Sequence, residues 1–235
     1  MPSLLVTLFN EALGAEASFP PDCSVSLARE EDQPDYADVI DSVNRGGGRP
    51  ILIRKLRETH PLGQPHQVQY DQRLWDVLTE ACTFAWAQDV MTLGKTRFMT
   101  DEGAPDVWTD SDVWVEAKAV WRSKAETELL RQMLDVERRG FIVRGGRDLE
   151  PPVSGLLHKF DEKLDDAIRK WRRQTTGRLL VYFELRGIDF GVSPRQAQAA
   201  VVDWAARRAA KERVGIAIWR GGDWCSPFVT ERLTS

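Results

Sequence analysis

Cysteine is scarce in this chain, with three in 235 residues, at Cys23, Cys82 and Cys225. They are odd in number and far apart, so neither a disulfide framework nor a zinc knuckle is expected, and a reducing, cytoplasmic setting follows. Long apolar runs are missing too. The run LLVTLF at 4–9 is too short for a signal-peptide core and has no basic residue before it, and no run approaches a membrane span. A phosphate-binding loop is also lacking. The triplet Gly46-Gly47-Gly48 has no Lys-Ser/Thr downstream, and Gly94-Lys95-Thr96 has no upstream glycine, which excludes nucleoside-triphosphate binding by either. Finally, there is no basic excess, since the formal net charge is -4.

What is present is the composition of an ordinary globular protein, 42% hydrophobic and 29% charged, long enough for one large domain with an appendage. Nine tryptophans are scattered at core-like positions, where packing explains them better than base stacking does. The charge is uneven along the chain. Basic against acidic residues number 6 to 10 over residues 1–70, 4 to 10 over 71–120, and 22 to 16 over 121–235. An acidic middle suits a metal site, and a basic C-terminal half is where phosphate contacts belong.

The acidic middle contains the stretch GAPDVWTDSDVWVEAKAVW at 103–121, a β-hairpin by its alternation and its Thr109-Asp110-Ser111-Asp112 turn. Strand side chains alternate, so Trp114, Glu116 and Lys118 share one face. With Asp110, Ser111 and Asp112 as a three-residue loop, Thr109 pairs with Val113, Trp108 with Trp114, Val107 with Val115 and Asp106 with Glu116. Two carboxylates directly opposite repel unless a cation lies between them, and a hard divalent ion, Mg²⁺ first and Mn²⁺ as its substitute, is the natural one. Lys118 adds a positive charge that can hold an attacking water or a phosphate.

Pro105-Asp106 followed by Glu116-Ala117-Lys118 resembles the motif of the PD-(D/E)XK nuclease superfamily, which has the restriction-endonuclease-like fold. The resemblance implies a metal-dependent phosphodiesterase, with DNA the expected substrate and a 5′-phosphate product. Asp106, Glu116 and the Ala117 carbonyl would hold the metal, Lys118 would activate the water, and Glu80, on the preceding helix, would act as an additional acidic residue. The rival readings are a nuclease-fold module that has lost catalysis and serves nucleic-acid binding or assembly, and an RNA-directed or toxin nuclease of the same fold.

The elements around the hairpin follow that order. A dense apolar pattern predicts a buried helix over 72–93 ended by Gly94, then a strand over 95–99 and a turn at Asp101-Glu102-Gly103. A capping box at Ser123 starts a helix over 123–139, read as part of an insertion over 122–152 or as the crossing helix itself, with an edge strand at 141–143. The strongest amphipathic helix, 156–173, puts Lys159, Lys163, Lys170 and Arg173 on one outer stripe interrupted by Asp166. That stripe is either a solvated face or a phosphate-tracking one. A near-continuous apolar run at 178–185 predicts a central strand, Ser193-Pro194 opens a helix to about 212, and VGIAIW at 214–219 is the last strand. The fold class is therefore α/β, a mixed sheet flanked by helices over residues 70–235. Residues 1–69 form an N-terminal elaboration packed on that core, which could serve a homodimer or a partner protein. It has a strand or helix within 1–13, a helix over 35–44 and a strand over 51–56.

Overall fold

The computed structural model describes residues 4–14, 34–59, 68–120, 153–174, 176–185, 194–220 and 224–225. It is an α/β structure with a mixed sheet flanked by helices. The expected helix over 123–139, the strand at 141–143 and the capping Ser193 lie outside the described residues.

The segment 1–13, open between strand and helix, is helix α1, Leu4–Leu13. Leu8, Phe9, Ala12 and Leu13 recur at helical spacing and all are buried. Helix α2, Pro34–Arg45, opens on proline, whose missing N–H costs nothing in a first turn, and buries Tyr36, Ile40 and Val43. The strand expected over 51–56 is instead helix α3, Arg49–Thr59. Its β-branched start suits a strand only locally. Leu52, Ile53 and Leu56 are the buried residues, an i, i+1, i+4 stripe that only a helix puts on one side.

Helix α4, Val68–Ala85, continues into a π-helical turn, Trp86–Val90, and the chain leaves it by Gly94 at φ 85°, a conformation that suits glycine. Buried residues occur around most of its circumference, among them Leu74, Trp75, Leu78, Ala81 and Phe84. The reason is its position: α4 contacts α2 and α3 as well as the first two strands.

Among the described residues, six strands form one sheet in sequential order: β1 Thr96–Phe98, β2 Val107–Thr109, β3 Val113–Val120, β4 Arg178–Leu185, β5 Gly215–Arg220 and β6 Trp224–Cys225. The β2–β3 hairpin has the predicted register, Val107 opposite Val115, Trp108 opposite Trp114 and Thr109 opposite Val113. Asp112 at φ 56° closes the three-residue loop, its N–H donating to the Thr109 carbonyl at 3.0 Å. Strand β4 is buried from Leu179 to Leu185, as its apolar run requires for an interior strand. Two further helices are α5, Val153–Trp171, and α6, Pro194–Glu212.

The chain divides into two compact units. One comprises Met1–Ala119 and Ala167–Tyr182, and so includes α1 to α4, the hairpin and the C-terminal turn of α5. The other comprises Val120–Asp166 and Phe183–Ser235. In the second, Phe160 stacks on Trp204 with centroids 4.9 Å apart and meets Phe183 edge-on, while Arg208 is paired with Asp161, Asp165 and Glu212.

In the first unit, Gly177 sits at φ +95°, and a Cβ there would come within 2.7 Å of the Trp114 ring and 3.0 Å of the Asp112 carbonyl. The ring cannot yield easily, because its Nε1 donates to the Thr176 carbonyl at 2.8 Å. Gly177→Ala is therefore expected to cost about 2 kcal/mol, from backbone strain and overpacking together. Urea unfolding checks this, and a loss below about 0.5 kcal/mol, the ordinary scatter of surface substitutions, contradicts it.

Candidate active site

Extending the hairpin register by one pair sets Asp106 across from Glu116. The backbone of Asp106 is pinned on its other side, its carbonyl accepting the Met99 N–H at 2.8 Å. Its side chain turns to β3, where Oδ2 accepts the Ala117 N–H at 2.8 Å. The carboxylate thus takes the amide that a longer β2 would have bonded.

Glu116 is fully buried in the middle of β3. Its Oε1 accepts from two ammonium groups, Lys118 Nζ at 2.7 Å and Lys170 Nζ at 2.7 Å. Its Oε2 is buried and has no hydrogen-bond partner among the described residues. Lys118 is 12% exposed and Lys170 30%. A charge in this position survives only if paired, and Glu116 is paired through one oxygen alone.

Glu80 projects from α4 and is bonded to Lys55 of α3, whose ammonium also lies 5.8 Å from the centre of the Phe98 ring. Burial holds the Glu80 carboxyl above its ordinary pKa, Lys55 opposes the shift, and Glu116 and Asp76 add repulsion. Asp106 is raised further, well above its ordinary 3.8. Loss of solvation is the main cause, with repulsion from Glu116 and Glu80 next; the Lys170 charge and the Ala117 N–H offset it in part. The three carboxyl groups therefore act on one another electrostatically.

Of the predicted residues, Asp106, Glu116, Ala117 and Lys118 form one connected group, and Glu80 belongs to its electrostatic field. One expectation changes. Lys170 is not on an outward stripe with Lys159, Lys163 and Arg173, because the buried Glu116 carboxylate draws its ammonium inward. Lys159 and Lys163 are half-buried, and Arg173 is exposed, beside Gly103. Among the described residues no three His, Cys, Asp or Glu side chains converge as a metal-holding group, and Glu80 is occupied by Lys55. The amide of Ala117, not its carbonyl, is the group in contact with Asp106.

Sequence reasoning missed Lys55, hidden in the segment read as a strand, and gave Lys170 another role. One more feature borders the site. Two residue pairs closer to the turn, Arg97, Trp108 and Trp114 face one another across β1, β2 and β3, with the Arg97 guanidinium 5.3 Å from the Trp108 ring centre and the two indole centroids 6.5 Å apart. No protein-family model matches the chain, and neither a curated protein nor a solved structure is found to be similar to it.

Proposed function

We propose that this protein is a metal-dependent nuclease of the restriction-endonuclease-like fold, cutting phosphodiester bonds in DNA. One observation carries the reading: Asp106 and the buried Glu116 stand opposite one another beside Lys118, and one Glu116 oxygen is buried without a hydrogen-bond partner among the described residues. A hard cation fits such a place. It would offset the loss of solvation and the repulsion that together raise the Asp106 pKa, and would use the lone pairs of Glu116 Oε2.

Asp106 and Glu116 would hold Mg²⁺ or Mn²⁺, with the Ala117 carbonyl, on the same strand edge, as a further oxygen ligand and Glu80 as a more distant charge. When bound, such an ion would lower the pKa of a water it holds and stabilise charge on a phosphoryl oxygen. The chain's own residues do the rest. Lys118, held against Glu116 and largely shielded from solvent, orients the attacking water and offsets charge that builds on the phosphate. The Ala117 N–H fixes one oxygen of Asp106, so the carboxylate needs little reorganisation. Hydrolysis would leave the phosphate on the new 5′ end and a hydroxyl on the new 3′ end.

Incubation with supercoiled plasmid, linear duplex, single-stranded DNA and RNA tests this, in Mg²⁺, in Mn²⁺ and in EDTA. Cleavage of DNA that needs the metal and stops in EDTA is the expected result. Cleavage of RNA alone reassigns the substrate, and no cleavage of any of the four overturns the proposal. A second reading has one observation in its favour, since two lysines neutralise Glu116 without any metal. In that reading the protein is a nucleic-acid-binding module of the same fold, and binding without cleavage in the same experiment supports it.

A further inference from the structure

We infer that Lys170 is a resident counter-ion for Glu116 that competes with the divalent cation and so sets the metal affinity of the site. The inference rests on the metal-dependent reading above and goes beyond it by assigning a role to a side chain outside the hairpin.

The two lysines on Glu116 Oε1 are not equivalent. Lys118 is two residues along the same strand, its side chain is 12% exposed, and the register fixes it on that face. Lys170 lies in the last turn of α5, is 30% exposed, and reaches the same oxygen at the same 2.7 Å from across 54 residues of chain. Its long stem leaves it a route to water that Lys118 does not have. Lys170 also lowers the raised pKa of Asp106, so its charge is felt by both carboxylates.

In the metal-free protein this ammonium supplies part of the positive charge that three neighbouring carboxyl groups require. When a divalent ion binds Asp106 and Glu116, Lys170 becomes a like charge at close range, and it must withdraw towards solvent. The affinity measured for the metal then includes the free energy of breaking the Lys170 contact. A site described only by its carboxylates would be expected to bind the ion more tightly than this one does.

Lys170→Met keeps the stem and removes the charge. Calorimetric titration of the whole chain with Mn²⁺ is expected to give a dissociation constant about tenfold lower for Lys170→Met than for wild type, with the metal-free variant melting several degrees lower. Lys170→Arg should restore the wild-type affinity. Lys211→Met, which removes an equal charge from a side chain 71% exposed in the second unit, should leave it unchanged. A local competition predicts that contrast; a general charge effect would move both variants alike and overturn the inference. Equal or weaker Mn²⁺ binding by Lys170→Met, with wild type binding normally, also overturns it and leaves the nuclease reading intact. Failure of both wild type and Lys170→Met to bind Mn²⁺ sinks the metal-dependent reading and the inference with it.

Discussion

Asp106→Asn is expected to melt a few degrees above wild type at pH 7 to 8 while cutting nucleic acid about 1000-fold more slowly. The two effects have one cause. Burial and the neighbouring Glu116 and Glu80 raise the Asp106 pKa well above 3.8, so the folded protein carries an acid that resists ionisation. For a group raised on folding, the stabilising contribution is complete below the unfolded pKa and is lost as pH climbs through the folded one. Wild type therefore loses stability across that window, by about 1.4 kcal/mol for each pH unit that separates the folded from the unfolded pKa, and asparagine, which does not titrate, loses none. For a chain of this size each kcal/mol moves the melting temperature by about 2 to 4 °C. The amide oxygen of asparagine can still accept the Ala117 N–H, so the fold is not otherwise disturbed.

The gap between the two proteins should shrink as pH falls towards 4, where the folded chain holds Asp106 protonated and about half of the unfolded chains do so too. It should also narrow for wild type in Mg²⁺, which favours the carboxylate. The activity loss of about 1000-fold corresponds to roughly 4 kcal/mol of transition-state stabilisation, a reasonable share for one of two metal-holding carboxylates. Melting curves from pH 4 to 8 and cleavage rates in Mg²⁺ check both halves. An Asp106→Asn protein as active as wild type would remove Asp106 from the chemistry, and one less stable at pH 8 would show that its carboxylate is not held at a cost. Sites kept in a functional but unfavourable state commonly show this trade of stability against activity.

The hairpin was legible down to its register because every level of the sequence agreed there. Alternating Val and Trp fixed the faces, and Thr109 to Asp112 fixed the loop, leaving one pairing that kept Val107, Val113 and Val115 on a buried side. The segment 51–56 failed for the opposite reason. Its three leading apolar residues fit a strand locally, and only packing against α1 and α4 selects the helix. The counter-charges of the site were not legible at all. Lys55 reaches Glu80 across 25 residues and Lys170 reaches Glu116 across 54, and nothing local distinguishes either lysine from a solvated neighbour. What the sequence does carry is the demand for them, since a glutamate in a strand flanked by Val115 and Ala117 needs positive charge from somewhere.

That demand leads to the opposite stability effect at Glu116, although the two carboxylates face one another. Glu116→Ala is expected to lower stability by about 3 kcal/mol and the melting temperature by roughly 6 to 12 °C, because it removes a buried carboxylate from beside two ammonium groups that stay charged. Lys118, at 12% exposure, bears most of that cost, and Lys170 can turn towards water. Replacing both members of the inner pair with apolar residues should be kinder than replacing one. Glu116→Leu combined with Lys118→Leu is expected to recover part of the loss, since a buried ion pair is often no better than well-packed apolar side chains. The coupling energy from the full cycle of single and double variants measures the pair directly. A Glu116→Ala protein that unfolds within about 0.5 kcal/mol of wild type, the scatter of ordinary surface changes, would mean the three charges are effectively solvated, and a site so open to water could not hold its carboxylates poised for a cation.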